Sequence, residues 1–208
     1  MLREIKHTAN HWDGDTVTSI FFGGGTPSLM PPKTISAVVE KVGEYWGLDQ
    51  NVEITVEANP TSVESGRFAE LKNAGVNRIS LGVQAFDNDV LSFLGRGHGV
   101  TEAIAAIETA ATHFERYSFD LIYARPGQTL LEWHQELDSA LALAGSHLSL
   151  YQLTIERGTP FYGLWQKGQL TQLDENKAAE MYELTQERLS DAGLPGYEIS
   201  NHATPGSE

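Results

Sequence analysis

The stretch SIFFGGGTPSLMPP, residues 19–32, joins an apolar run to three consecutive glycines and then to a Thr-Pro pair. The β-rich run Val17–Phe22 predicts a strand that ends at Gly23, and the two prolines that close the stretch are a start signal for a helix over 33–46. A strand, a glycine turn and a helix form the unit from which parallel α/β sheets are built. The stretch therefore predicts an α/β fold, and it raises the question of what approaches the glycine backbone.

The glycine loop, Gly23, Gly24 and Gly25, does not match the common phosphate-binding patterns. No Gly-Lys-Ser/Thr follows it, as a P-loop requires, and Ser28 stands where a dinucleotide fingerprint has its third glycine. Bare backbone N–H and C=O groups beside Thr26 suit a ligand ammonium or a small polar group better than a large pyrophosphate. The plainer interpretation is that the glycines only make a tight connection after a strand.

Strand-like and helix-like segments alternate along the rest of the chain. Further strands are predicted at 52–56, 78–83, 118–123, 147–153 and 196–200, and further helices at 63–74, 101–113, 130–143 and 175–192. This alternation is typical of βαβ units in a parallel sheet. Right-handed crossovers then place every helix on one side if the sheet curls into a barrel.

Composition indicates a soluble globular protein and excludes several kinds of function. The 208 residues carry a net charge of −14, which argues against a nucleic-acid or anionic-membrane surface, because both need clustered Lys and Arg. Charges run through residues 1–20 and no long apolar run occurs, so neither a signal peptide nor a membrane span is predicted and the expected location is the cytosol. The chain has no cysteine, so it contains no thiolate that could hold zinc or an iron–sulfur cluster.

Polar side chains stand at or near the carboxyl ends of the predicted strands. Glu57 follows the second strand and Gln84 the third. Asp120 lies within the fourth strand, and Gln152 and Thr154 come at the end of the fifth. Ligands of parallel α/β sheets bind outside the carboxyl ends of the strands. We therefore predict that the glycine loop, Glu57, Gln84 and Asp120 converge on one concave, ligand-binding face.

Each of these residues also has a structural interpretation. Glu57, taken alone, is slightly better explained as a residue that caps or pairs with a neighbour, and Arg96, in a loop, as a solvated surface charge. Asp120 has the best single claim to function, since an acid in an otherwise apolar strand needs a partner, for which Arg125 is the candidate. The histidines are isolated in sequence, so no metal ligand is assigned, and no residue is assigned as catalytic.

Six motifs in one order carry a family resemblance: FFGGGTPSLM, VEANP, RISLGVQAFD, LGRGH, DLIYARPGQT and LSLYQLTIERGTPF. Together they resemble the radical S-adenosylmethionine proteins related to oxygen-independent coproporphyrinogen III oxidase, and among these the shorter haem-chaperone branch. The resemblance implies a partial (β/α)6 TIM-like barrel that lacks its first strand. Residues 1–208 then form an incomplete core domain, in which 174–208 are the start of the carboxyl-terminal extension.

The resemblance also implies which residues bind S-adenosylmethionine. Carbonyls of the glycine loop receive the amino group, and Arg96 suits the carboxylate as a two-pronged donor. Glu57 suits the ammonium or a ribose hydroxyl, and Gln84 and Asp120 suit the ribose hydroxyls. By position in the motifs, the implied contacts are Gly24, Gly25, Thr26, Glu57, Gln84, Arg96 and Asp120, with Thr154 the least closely matched.

Two parts of the family pattern do not align with this chain. The cysteine loop that holds a 4Fe–4S cluster precedes the segment that matches Met1, and the carboxyl part associated with haem follows the last residue. The chain is therefore expected to be an internal fragment of a haem chaperone or coproporphyrinogen-oxidase-like protein, whose partners are haem or porphyrinogen and haem-accepting proteins. A smaller departure is Ala124-Arg125, where many relatives carry Gly-Leu.

Two other functions stay open on the residues alone. One is an unrelated barrel enzyme that uses the glycine loop for a phosphate, although residues 23–32 offer no cation. The other is a binding module that keeps the pocket without a cluster. The first strand is expected to pair with residues 54–56 on one side and to leave an apolar, β-prone edge on the other, which predicts self-association of the isolated chain.

Overall fold

The computed structural model describes residues 1–12 and 14–208, apart from the side chains of residues 62 and 63. Its strands are β1 (Val17–Phe22), β2 (Leu48–Ala58), β3 (Arg78–Gln84), β4 (Arg116–Tyr123), β5 (His147–Gln152) and β6 (Asn201–Ala203). They are hydrogen-bonded in chain order, β1-β2-β3-β4-β5-β6. The pairs β1–β2, β2–β3 and β4–β5 are parallel, whereas β6 runs antiparallel to β5.

Helices alternate with the parallel strands, as the sequence predicts. They are α1 (Leu2–Ala9), α2 (Pro32–Trp46), α3 (Ser62–Ser65), α4 (Phe68–Asn73), α5 (Asn88–Phe93), α6 (Val100–His113), α7 (Leu130–Leu143), α8 (Pro160–Gln166) and α9 (Glu175–Asp191). Local chemistry explains several starts. Pro32 occupies the first turn of α2, where its missing N–H costs nothing. Thr129 and Glu132 satisfy each other's backbone N–H groups in a capping box that begins α7.

The chain forms two compact units. The first comprises Met1–Gly82 and Thr101–Tyr117, and the second Val83–Val100 and Ser118–Glu208. In the first unit, the rings of Phe68 and Phe114 meet edge to face at 5.9 Å between centroids, and both are buried. In the carboxyl half of β2, Ile54 and Val56 are buried as well.

Trp133 is at the centre of the second unit's core. Its ring is fully buried on α7 and stacks on the Tyr123 ring with a centroid separation of 4.7 Å. The indole Nε1 donates a hydrogen bond to the Thr185 hydroxyl of α9 at 2.8 Å. A buried indole needs such an acceptor, and this bond joins α7 to α9.

The predicted pairing of β1 with β2 is confirmed. Ile20 lies opposite Ile54, and Phe22 lies opposite Val56. Because the strands are parallel, both of their carboxyl ends lie at the same edge of the sheet. The register therefore brings the glycine loop after Phe22 beside Glu57.

Two predicted elements are wrong. Residues 196–200 do not form a strand: the Tyr197 N–H donates to the Asn201 carbonyl and the Ser200 N–H to the Glu198 side chain, which makes a turn before β6. Such local side-chain bonds compete with extended backbone. The helix predicted over 63–74 is divided into α3 and α4, with Gly66 in the break, where helix propensity is poor.

A search for membrane-spanning helices among the described residues found none that is long and apolar enough. The division of the chain at residue 174 into a core and a carboxyl-terminal extension stays a prediction.

Candidate functional site

The glycine loop is held by the side chain of Glu57. The backbone N–H of Gly24 donates to Oε2 of Glu57 at 3.0 Å. In a trans peptide the N–H and the preceding C=O point in opposite directions, so the Gly23 carbonyl is turned away from this carboxylate. A carboxylate has about four acceptor sites, and Glu57 therefore has the capacity to contact a ligand as well.

The three glycines are required for two different reasons. Gly24 and Gly25 have φ angles of +80° and +63°, which side-chain-bearing residues rarely adopt. A Cβ at either position would meet no described atom within 4 Å, so conformation and not crowding selects glycine there. At Gly23 a Cβ would lie 2.8 Å from the Phe21 ring and 3.2 Å from Oε2 of Glu57. The backbone is thus bare toward open space at Gly24 and Gly25, which is where a ligand has access to it.

A buried carboxylate connects the loops that follow β1 and β2. Glu64, in α3, is 5% exposed and accepts hydrogen bonds from the Ser28 hydroxyl and from the backbone N–H of Asn59 at 2.7 Å. The side-chain amide of Asn59 adds a third bond at 3.2 Å. Ser28 belongs to the glycine stretch and Asn59 follows Glu57, so one carboxylate fixes both segments.

Arg67, which lies between α3 and α4, adds a cation to the loop after β1. Its guanidinium donates to the carbonyl of Ser28 at 3.0 Å and to that of Met30 at 2.9 Å. The glycine stretch itself has no cation, but the fold supplies one and directs it at backbone carbonyls. We refer to Ser28, Asn59, Glu64 and Arg67 as the first clamp.

Sequence reasoning missed the first clamp. The pattern Thr61-x-x-Glu64 resembles a capping box, which would assign Glu64 to its own helix. One of the two capping-box bonds is present, since the Glu64 N–H donates to the Thr61 hydroxyl at 3.4 Å. The carboxylate, however, reaches Ser28, 36 residues away, and no local pattern indicates that contact.

In the second unit, Gln84 ends β3 in a strained conformation. It is half-buried and has a φ of +75°. A residue with a side chain pays about 1–2 kcal/mol for the left-handed region, and such strain concentrates at functional sites. Neither its sequence nor its position in a strand predicted this geometry.

Ala124, the first residue after β4, is strained in the same way. Its φ is +56° although it is buried and carries a Cβ. Glycine, which the family resemblance implies at this position, is the residue that the geometry favours. Ala124 therefore has the left-handed backbone conformation that is typical of glycine, although it is an alanine.

Arg125 pairs with Glu136. Nη2 of Arg125 lies 2.6 Å from Oε2 of Glu136, and both side chains are 8% exposed. The sequence-based hypothesis gave Asp120 as the partner; the structure gives this buried glutamate of α7, which lies eleven residues along the chain. The fork of Arg125 meets both carboxylate oxygens, since Nη1 also donates to Oε1 at 3.2 Å.

Glu136 also connects the loops that follow β3 and β4. Oε1 accepts the backbone N–H of Phe86 at 3.0 Å, and Oε2 accepts the Gln128 amide at 3.4 Å. Gln128 in turn accepts the Arg125 backbone N–H at 3.2 Å. We refer to Phe86, Arg125, Gln128 and Glu136 as the second clamp.

The remaining predicted site residues have these positions. Thr26 is half-buried, and its carbonyl accepts the Leu29 N–H at 3.1 Å. Asp120 is half-buried opposite Ser149 of β5, and Arg96 is half-buried after α5. Thr154 is exposed, with its hydroxyl donating to the Gln152 carbonyl at 3.3 Å. The convergence of all eight residues on one ligand stays a prediction.

Asp120 affects a neighbouring phenol. Burial, as the main cause, raises the pKa of Tyr151, and the negative charge of Asp120 raises it further. Burial likewise raises the pKa of Tyr123 at the end of β4. Both phenols therefore stay protonated near neutral pH.

Two cavities lie at the strand ends of the second unit. The larger, of about 570 Å³, has Phe86, Arg125 and Glu136 in its wall. The smaller, of about 170 Å³, is lined by Ala124 and Gln152 among others. Among the described residues no group of three or more His, Asp and Glu side chains is arranged to hold a metal ion. With no cysteine in its 208 residues, the chain does not provide the ligands of an iron–sulfur cluster.

Comparison with known proteins identifies the family. A model of the radical SAM superfamily matches residues 2–140. The chain therefore belongs to the radical S-adenosylmethionine superfamily, as its motifs predicted.

Several relatives are more specifically named. The chain is 45% identical over 192 residues to the mouse mitochondrial radical S-adenosyl methionine domain-containing protein 1, covering 92% of this chain and 43% of that protein. It is 38% identical over 208 residues to the haem chaperone HemW of Bacillus subtilis, covering 99% of this chain and 55% of that protein. The chain thus spans about half the length of the curated relatives that it matches.

The fold also has a counterpart among solved structures. Coproporphyrinogen III oxidase (HemN) from Escherichia coli superposes with a TM-score of 0.80 at 24% identity, over 100% of this chain and 48% of that one. The predicted fold class, the α/β partial barrel of radical SAM proteins, is confirmed by this match. The match of the superfamily model to residues 2–140 excludes the alternative of a barrel enzyme unrelated to that family.

Proposed function

We propose that this chain is the S-adenosylmethionine-binding part of a radical SAM protein of the haem-chaperone type. The observation that carries the proposal is the bond between Gly24 and Glu57, which holds two left-handed glycines bare at the end of β1. This geometry presents backbone groups to a small polar ligand, and it occurs in a chain of the superfamily named for that cofactor.

The chain's own residues would bind and orient the cofactor. Glycine-loop carbonyls, at Gly24, Gly25 and the adjacent Thr26, accept the ammonium group, and Arg96 pairs with the carboxylate. Glu57 adds negative charge for the ammonium while it holds the loop. By resemblance, Gln84, Asp120 and Thr154 provide the remaining polar contacts.

The cofactor would supply one-electron chemistry when bound. The electron would come from an iron–sulfur cluster, and thiolate ligands for such a cluster are not among these 208 residues. The role derived for this chain is therefore binding and orientation of S-adenosylmethionine.

Haem is the proposed cargo of the whole protein. Proteins named haem chaperone HemW from several bacteria are 36–38% identical to this chain. These relatives favour haem delivery over porphyrinogen oxidation, with haem and a haem-accepting protein as partners. Titration of the whole protein with ferric haem tests it: saturable binding in the Soret band supports haem as cargo, and absence of binding contradicts it.

Isothermal titration with S-adenosylmethionine tests the binding proposal. We expect saturable binding to the 208-residue chain, weakened about tenfold in Glu57→Gln, which keeps an acceptor for Gly24 but loses the charge. Glu53→Gln is the matched control, because Glu53 lies in the same strand and pairs with Arg78 and Arg116 away from the strand end. Binding of ATP in place of S-adenosylmethionine, or equal affinity in the Glu57 and Glu53 variants, would contradict the proposal.

A further inference from the structure

Each compact unit contains a buried glutamate that does the same structural task. Glu64 joins the loops after β1 and β2, and Glu136 joins the loops after β3 and β4. We propose that these two glutamates are positioning residues for the S-adenosylmethionine site, an inference that rests on the proposed function. They contact loop backbone and loop side chains, and they act on a ligand only through the loops.

The bonding of Glu64 explains why a carboxylate is present in the first unit. An ionised carboxylate away from water is costly unless several donors satisfy it. Glu64 has three donors on two residues, the Ser28 hydroxyl and both nitrogens of Asn59. Ser28 lies three residues after Gly25 and Asn59 two residues after Glu57. The carboxylate therefore spans the two segments whose contact is the bond between Gly24 and Glu57.

Glu136 occupies the corresponding place in the second unit. Its backbone partner, Phe86, lies two residues after Gln84, and its ion-pair partner, Arg125, directly follows Ala124. Gln84 and Ala124 both have positive φ angles. Such strain persists only where the surroundings over-determine the backbone. Glu136 provides that constraint, because it binds the chain two residues beyond Gln84 and one residue beyond Ala124.

Another charged cluster in the first unit separates positioning from general stability. Glu53 pairs with Arg78 at 3.0 Å and with Arg116 at 2.7 Å, and its side chain is 19% exposed. It lies four residues before Glu57 in β2, about 13 Å along a strand, and touches neither loop. Loss of charge at Glu53 should lower the stability of the first unit and leave the glycine loop in place. Loss of charge at Glu64 should lower that stability and also move the glycine loop.

Hydrogen–deuterium exchange with mass spectrometry, followed by titration with S-adenosylmethionine, tests the proposal. Glu64→Gln should raise the rate of amide exchange about tenfold in peptides covering 23–30 and 59–61. Glu136→Gln should raise it by a similar factor in peptides covering 84–88 and 124–129. Each variant should weaken S-adenosylmethionine binding about five- to tenfold. Glu53→Gln should change neither loop uptake nor affinity by more than about twofold.

Milder variants keep the test decisive if a glutamate variant does not fold. Ser28→Ala removes one donor from Glu64, and Gln128→Ala removes one from Glu136; each should raise uptake in its own pair of loops about threefold. Unchanged loop uptake in both would overturn the proposal. If the wild-type chain does not bind S-adenosylmethionine, the proposed function fails, while exchange in the same loops still decides whether the glutamates fix them.

Discussion

Oε2 of Glu57 accepts the backbone N–H of Gly24 at 3.0 Å, which joins the end of β2 to the loop after β1. This bond anchors the glycine loop at the edge of the sheet. The backbone of Gly24 and Gly25, with its positive φ angles, stays accessible to a ligand. Both partners follow strands that pair in parallel, so their contact is a direct consequence of strand register.

Replacement of Gly24 by alanine should destabilise the chain through conformation alone. A Cβ there meets no described atom within 4 Å, but φ is +80°. We expect a loss of about 1 kcal/mol, the left-handed penalty less the gain from a stiffer unfolded chain. Gly163→Ala, at an open position inside α8, should instead gain about 0.5–1 kcal/mol. Urea unfolding followed by circular dichroism measures both, and shifts of equal sign would contradict the argument.

Arg125 and Glu136 should show strong energetic coupling. Glu136→Met leaves a guanidinium buried without its counter-charge, and we expect a cost of about 3–5 kcal/mol. Adding Arg125→Met should recover about 2 kcal/mol, because it removes the unpaired buried charge. The rest of the loss remains, since the Phe86 N–H lacks its acceptor in the single and in the double variant. A double-mutant cycle of unfolding free energies measures the coupling. Additivity within about 0.5 kcal/mol would show that the pair is not a unit.

Ala124→Gly should cost less than an ordinary buried alanine-to-glycine change. Both Ala124 and Ala140 are buried, so each loses a packed methyl group on replacement. Only Ala124 has a positive φ, and relief of that strain should offset about 1–2 kcal/mol. Ala140, inside α7, gains no such relief. Chemical unfolding of the two variants compares them directly, and an equal loss would show that Ala124 is not strained.

The stability of the chain should depend on His202 below neutral pH. Burial lowers the pKa of His202 below its ordinary 6.5, against smaller raising effects of Glu198 and the Ser200 backbone. With a depressed folded pKa, the unfolded chain takes up the proton first. The contribution of neutral His202 is therefore complete above about pH 6.5 and is lost as pH falls toward the folded pKa.

The variant His202→Gln isolates this effect. Glutamine can still meet the Gln186 amide, which lies 3.0 Å from Nε2 of His202, but it does not titrate. The difference in urea midpoint between wild type and variant should shrink as pH is lowered from about 7.5 to about 5. Parallel pH profiles for the two proteins would exclude His202 as the titrating group.

The sequence by itself determined the α/β class, the pairing of β1 with β2 and the family. These depend on local residue patterns and on the order of motifs, and both can be read directly from the linear sequence. Residues 196–200 show where pattern fails: a β-prone run becomes a turn because Glu198 binds the Ser200 backbone. Local composition predicted a strand, but a local hydrogen bond from a backbone N–H to a side chain stabilises a turn instead.

Only the tertiary structure decided the roles of Glu64, Arg67 and Glu136. The Ser28–Glu64 and Phe86–Glu136 bonds span 36 and 50 residues, and a glutamate in a helix looks the same in sequence whether it is solvated or clamped. The positive φ angles of Gln84 and Ala124 oppose local propensity, so no propensity could have predicted them. They exist because contacts distant in sequence over-determine the backbone, and such contacts form only when the chain is folded.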